Sequence, residues 1–217
     1  MGKIKLVIFD IDGTLYESRE YEVELGRTIV SLVGEMLGIS TDDARQRLES
    51  EKKTSLTVSS SIARLGIDRR RFYTLLAERI EPSRFIAPDP LVAEMVRTLR
   101  LAGVKVAAHT NSGALLAGKV LDALGLKPED FDVVMTSDEA EPKPAPDGYV
   151  KITERAGVSL SEAVYVGDRP LVELRTAKTL GMKTILVGQR RSIWADYPAS
   201  TIHEALKIIN KLILDDA

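Results

Sequence analysis

A short apolar run that ends in two aspartates, residues 3–16 (KIKLVIFDIDGTLY), constrains this chain more than any other stretch. Ile4, Leu6, Val7, Ile8 and Phe9 are apolar and mostly bulky or β-branched. That pattern reads as a strand buried on both faces, as in a parallel sheet covered by helices. Asp10 and Asp12, at i and i+2, can point to one side at the strand end, and Gly13 lets the backbone turn there. Two carboxylates held together away from water repel. A shared proton, a metal ion or a basic side chain must neutralise them. An Asp-Gly turn after a strand also occurs without any such site, so the rest of the chain has to decide.

After Tyr16 the period changes from strand to helix. Ser18 is placed to cap a helix with Leu25, Ile29, Leu32, Val33, Met36 and Leu37 at helical spacing and Gly38 at its end. Thr41-Asp42-Asp43 is expected to cap a second helix through Leu48 toward Lys53. A third covers residues 56–65, and Asp68 starts a fourth with Phe72, Leu75, Leu76 and Ile80 on one face. Residues 16–88 thus read as a four-helix unit. Beyond it, helices (91–102, 115–124, 147–156, 171–180, 202–214) alternate with strands (104–110, 131–136, 163–166, 183–187). Such alternation predicts an α/β fold with a parallel sheet. Residues 1–15 and 89–217 form its core, and 16–88 form a domain inserted after the first strand.

The 217 residues can hold one large domain with a sizeable insertion. A hydrophobic content of 44% with 29% charged residues fits a globular, water-soluble chain. The net charge of −2, without a long block of one sign, gives no bulk attraction to nucleic acid or membrane. Arg69-Arg70-Arg71 and Arg190-Arg191 read as solvated faces. The absence of cysteine excludes disulfides, thiolate metal sites and a cysteine nucleophile. No apolar run is long enough to span a bilayer, and the start passes straight into the strand without room for a signal peptide. A cytoplasmic monomer is therefore expected. Asn occurs only at 111 and 210 and Gln only at 46 and 189, beside abundant Arg, Lys and Glu, which fits a thermophilic source.

Open parallel sheets bind ligands beyond the carboxyl ends of their strands. There this chain places Asp10 and Asp12, then Thr110 and Asn111, then Lys143 of Glu141-Pro142-Lys143-Pro144, then Asp168 with Glu173 a turn further on. Each alone has an ordinary reading: Thr110 as a helix cap, Lys143 as a surface lysine, Asp168 as a turn residue. Their arrival at one edge from four segments carries the argument. His109, beside Thr110, should point to the opposite side and pack, and His203 should lie on the surface of the last helix. Trp194 and Tyr197 are expected to cover a sheet edge from a loop. Tyr16, Ser59, Ser60, Ser61 and Arg64 are candidates to face the site from the cap, or else to serve as cap surface and cap–core contacts.

FDIDGTLY, VAAHTN, the lysine of EPKPAPDGY and VGDRPLVEL stand in the order and spacing of four motifs of the haloacid dehalogenase superfamily. Nearly the whole chain resembles the subgroup with a helical cap after the first strand. The resemblance implies a Rossmann-like three-layer core with strand order 5-4-1-2-3 and a Mg²⁺-dependent site under the cap. It implies Asp10 as nucleophile and Asp12 as general acid and base. Thr110, the Asn111 N–H and Lys143 would bind the phosphate, and Asp10, the Asp12 carbonyl and Asp168 the metal. Glu173 stands where the family commonly has Asp; holding a metal-bound water or Lys143, instead of the ion itself, accommodates its extra methylene.

The implied activity is Mg²⁺-dependent hydrolysis of a small phosphorylated metabolite through an aspartyl-phosphate. Alternatives are a metal-independent 2-haloacid dehalogenase, a phosphomutase, a phosphonatase and a non-catalytic binding module. Asp12 argues against the first, because family dehalogenases generally lack an acid there. Lys52 and Lys53 are available for a phosphonatase, but nothing singles them out. The intact set of polar residues argues against the last.

Overall fold

The computed structural model describes residues 3–215. Six strands form one parallel sheet: β1 (Leu6–Phe9), β2 (Lys105–His109), β3 (Val133–Met135), β4 (Ala163–Gly167), β5 (Lys183–Val187) and β6 (Tyr197–Ala199). Their order is β3-β2-β1-β4-β5-β6. Read from the other edge, this is the expected 5-4-1-2-3 with a sixth strand beyond β5. That strand corrects the expected loop around Tyr197. It has only three residues, and its Pro198 belongs to a sheet edge, where a missing N–H costs no ladder bond.

β1 is buried at every position and pairs with β2 and β4 on its two sides. Between β1 and β2 lies the cap: α1 (Arg19–Leu37), α2 (Thr41–Ser55), α3 (Val58–Arg64) and α4 (Arg69–Arg79). Ser18 caps α1 by accepting from the Tyr21 N–H, and Gly38 ends it at φ 66°. The cap of α2 is Ser40 and not Thr41: Ser40 Oγ accepts from the Asp43 N–H, and Thr41 is already in the first turn. Asp68 caps α4 as expected.

The core helices are α5 (Pro90–Leu101), α6 (Ala114–Ala123), α7 (Asp147–Ala156), α8 (Arg175–Thr179) and α9 (Ile202–Asp215). Alternate residues of β1 divide them. Val7 and Phe9 join a cluster with Val96 of α5, Leu121 of α6 and Ile209 of α9, whereas Leu6 and Ile8 join one with Ile152 of α7 and Ala177 of α8. Tyr21, Val33 and Phe72 of the cap belong to the first cluster, so cap and core share apolar packing. Lys119 of α6 also donates to the carbonyls of Ala77 and Ile80.

The expected helix over 171–180 begins instead as a π turn, Pro170–Leu174, followed by the short α8. Such turns are rare and concentrate at functional sites. Among the described residues, no helix is long and apolar enough to cross a membrane.

Candidate active site

The parallel strands end at one edge, and the residues after them meet under the cap. Asp10 follows β1, Thr110 follows β2, Asp168 follows β4, and Lys143 arrives on the loop after β3. A cavity of about 260 Å³ lies there. Asp10, Asp12, Thr110, Asn111, Asp168 and Arg169 line its core side, and Tyr16, Tyr21, Leu25, Ile29, Ser59 and Tyr73 are among the residues lining it across from them. A larger cleft, of about 510 Å³, lies beside Arg97, Arg100 and Lys105 at the start of β2 and holds none of the motif residues.

Lys143 is wholly buried and surrounded by oxygen. Its Nζ contacts Asp10 Oδ1 and donates to the His109 carbonyl (2.9 Å), Glu173 Oε1 (3.3 Å) and the Tyr165 hydroxyl (3.3 Å). Glu173 is also fully buried, and Arg169 holds it through Nε at Oε1 (3.2 Å) and its backbone N–H at Oε2 (3.2 Å). The loop bearing Lys143 is latched by Asn111, whose Oδ1 accepts from the Lys143 N–H (2.7 Å) and whose Nδ2 donates to the Lys143 carbonyl (3.0 Å).

Asp12 receives two hydroxyls, Tyr16 Oη at Oδ1 (2.6 Å) and Thr110 Oγ1 at Oδ2 (3.4 Å). Thr14 Oγ1 donates to Asp10 Oδ2 (3.3 Å). Gly13 has φ 81°, and a Cβ there would sit 2.8 Å from Asp168 Oδ2. Only glycine suits both the turn and the close approach.

Asp10, Asp168 and Glu173 each offer an oxygen within 4.8 Å of the others. Burial and then Glu173 push the Asp10 carboxyl up to about 8, against the pull of Lys143 and Arg169. The same two causes, in that order, push Asp168 up to about 7. For Glu173 burial works against ionisation, but Lys143 and Arg169 outweigh it and hold the carboxyl below its usual range. The cluster is thus short of positive charge. Asp168 Oδ1 is moreover buried with no hydrogen-bond partner. An all-oxygen set with an orphaned carboxylate oxygen fits a hard divalent cation such as Mg²⁺.

Of the residues singled out in the sequence, Asp10, Asp12, Thr110, Asn111, Lys143, Asp168 and Glu173 all meet here. Glu173 touches Lys143 and Arg169 and also lies within reach of Asp10 and Asp168. The His109 ring packs edge-on against Tyr149 at 4.8 Å, away from the cavity. Burial, then Lys143, keeps its pKa well below the usual imidazole value. His203 is half-exposed and lies 3.3 Å from Asp89. Ser59 reaches the site and donates to the Asn111 carbonyl (2.6 Å). Ser61 bonds the Thr57 carbonyl and Arg64 pairs with Glu51, so neither contributes to the cavity. Sequence reasoning missed Arg169, Thr14 and Tyr21. Arg169 had one signal, its spacing four residues before Glu173.

The family model for haloacid dehalogenase-like hydrolases matches residues 4–181, and the chain belongs to that family. The chain is 30% identical to a glyceraldehyde 3-phosphate phosphatase of Methanopyrus kandleri, covering 89% of this chain and 87% of that protein. It is 30% identical to a phosphoglycolate phosphatase of Rhodospirillum rubrum, covering 84% and 79%. Among solved structures it resembles a haloacid dehalogenase phosphatase from Thermococcus onnurineus, with a TM-score of 0.72 and 30% identity over 95% of this chain and 98% of that one.

Proposed function

We propose that the chain is a Mg²⁺-dependent phosphomonoesterase of a small phosphorylated metabolite. The observation that carries the reading is the meeting of Asp10 and Asp12, Thr110, Lys143 and Asp168, from four separate segments, at one edge of the sheet. Asp10, Asp168 and the carbonyl of Asp12 would hold the ion. Bound there, Mg²⁺ supplies the positive charge that lets an anionic nucleophile approach a phosphate dianion. At ~4 Å and an effective dielectric near 20, each unscreened charge pair costs about 4 kcal/mol.

A carboxylate oxygen of Asp10, oriented by Lys143 and Thr14, attacks phosphorus, and the ester P–O bond breaks. Asp12 gives its proton to the departing alkoxide. Tyr16, whose hydroxyl donates to Asp12 at 2.6 Å, fixes its carboxyl for that transfer. Asp12 then takes a proton from water, which attacks phosphorus; the bond to Asp10 breaks and phosphate leaves. Lys143 and the Thr110 hydroxyl stabilise charge on the phosphoryl oxygens. Asp12, held by two hydroxyls, supports this reading over a dehalogenase, which has no alkoxide to protonate.

A cavity of about 260 Å³ suits compact substrates, and glyceraldehyde 3-phosphate and phosphoglycolate, named for two relatives, are natural test compounds. Phosphate release from p-nitrophenyl phosphate is expected with Mg²⁺ and not with EDTA. Metal-independent release of halide from a haloacid would contradict the reading. The scarcity of Asn and Gln supports a thermophilic source, with a melting temperature expected above about 65 °C.

A further inference from the structure

The cap's contribution to the cavity lining carries a hydroxyl-rich, apolar surface and one acid. Tyr21, Leu25, Ile29, Val58, Tyr73 and Leu76 contribute to it, and Glu22 is its charged residue. Among the described residues the cap gives this cavity no Lys or Arg. The cation in the lining, Arg169, comes from the core and is engaged by Glu173 at 3.2 Å, with Asp168 at 4.0 Å. Lys143 lies buried against Asp10 and Glu173. Two hydroxyls of the lining have no partner: Tyr21 Oη, on a residue 1% exposed, and Ser112 Oγ. Burial and then Asp12 push the Tyr21 hydroxyl well up, so it stays a neutral group able to donate. A buried hydroxyl without a partner is unfavourable, and a ligand oxygen beside it removes the penalty.

We propose that this site selects monophosphate esters of short, uncharged, oxygenated alcohols and discriminates against esters with a second anionic group, with Tyr21 and Ser112 as the residues that read the alcohol's oxygens. The inference rests on the phosphomonoesterase reading and adds the substrate's charge class. The phosphate is balanced by the metal and Lys143 at the core side. A second carboxylate would be desolvated against Leu25 and Ile29, near Glu22, and no Lys or Arg of the cap is among the residues lining this cavity to meet it; Arg19 and Arg190 line the adjoining cleft that shares Glu22. A hydroxyl or carbonyl of the alcohol would instead be a partner for Tyr21 Oη or for Ser112 Oγ, both on residues that line the cavity.

Glyceraldehyde 3-phosphate and 3-phosphoglycerate, which differ by an aldehyde against a carboxylate, form the matched test pair, assayed on the whole protein with Mg²⁺. The kcat/KM is expected to favour the aldehyde by at least about tenfold. Tyr21→Phe should cost the aldehyde ester roughly tenfold, mainly through KM, a split that a purely structural hydroxyl would not give. Ser112→Ala is the second variant should Tyr21→Phe fold poorly, and an unchanged KM in the folded variants would overturn the reading role. Leu25→Lys, which adds a cation to the wall, should move the ratio toward the carboxylate. p-Nitrophenyl phosphate separates the two levels. If it and every other ester are inert, the phosphomonoesterase reading falls and this inference falls with it. If it is hydrolysed while 3-phosphoglycerate equals or exceeds the aldehyde, or while neither three-carbon ester is turned over, the charge selection alone is overturned.

Discussion

Lys143 and Glu173 show how much of this site is held from within the protein interior. Both are fully buried, and Glu173 joins Lys143 to Arg169. Glu173→Gln removes the charge from the middle of that chain. Metal affinity or kcat should fall by about 10- to 100-fold. Weakening the hydrogen bonds that the buried Lys143 ammonium and Arg169 make to this carboxylate should also cost about 1–3 kcal/mol of stability. Urea unfolding and a Mg²⁺ titration of activity measure the two effects, and Glu173→Asp, which keeps the charge, should lose less. Gly13→Ala places a methyl against Asp168 at a positive φ. It should destabilise the fold by about 1–2 kcal/mol and lower activity more than tenfold with p-nitrophenyl phosphate.

At the scale of elements, what strands and helices announce by period was legible, and what single turns and loops build was not. The run from Leu6 to Phe9 declared a central strand because it is buried on both faces. β6 left no such mark: three residues at an edge are too few for a period. The π turn under Glu173 was read as ordinary helix, because its residues suit either winding and only tertiary packing decides. Asn111 was assigned to phosphate through its backbone, while its side chain proves to be spent on the Lys143 loop, a contact no spacing encodes. Cap and core meet at their rim through Arg69, paired with both oxygens of Glu141 at 3.0 and 3.3 Å. That pair is exposed and should contribute below about 1 kcal/mol. Arg69→Ala should therefore shift Tm by no more than about 4 °C and raise KM a few-fold as the cap opens more readily. A large Tm loss with unchanged KM would show that the pair holds the fold and not the lid.

For the whole molecule, the site was legible because a parallel sheet delivers every strand end to one edge. Residues placed there by topology met in space, whereas Arg169, Thr14 and Tyr21 depended on side-chain packing. The concentrated acid has a consequence for stability. Asp10 and Asp168 have folded pKa values raised to about 8 and about 7, so the folded protein keeps protons that the unfolded chain releases above pH ~4. Without a divalent ion, their contribution to stability is full below pH ~4 and is lost as pH rises through 7 to 8. Mg²⁺ competes with those protons. Near-saturating Mg²⁺, at about 100 times Kd, should stabilise by about 2.7 kcal/mol at pH 8, a Tm gain of about 5–10 °C, and far less at pH 5.5. A gain independent of pH would place the ion elsewhere.

The central claim, that Asp10 takes up the phosphoryl group beside a divalent cation, is tested most directly by mass spectrometry of the enzyme acid-quenched during turnover of p-nitrophenyl phosphate. The account predicts a phosphoryl adduct on the peptide containing Asp10, present with Mg²⁺ and absent with EDTA or in Asp10→Asn. Undiminished turnover in Asp10→Asn, with no adduct in the unaltered protein, would contradict it.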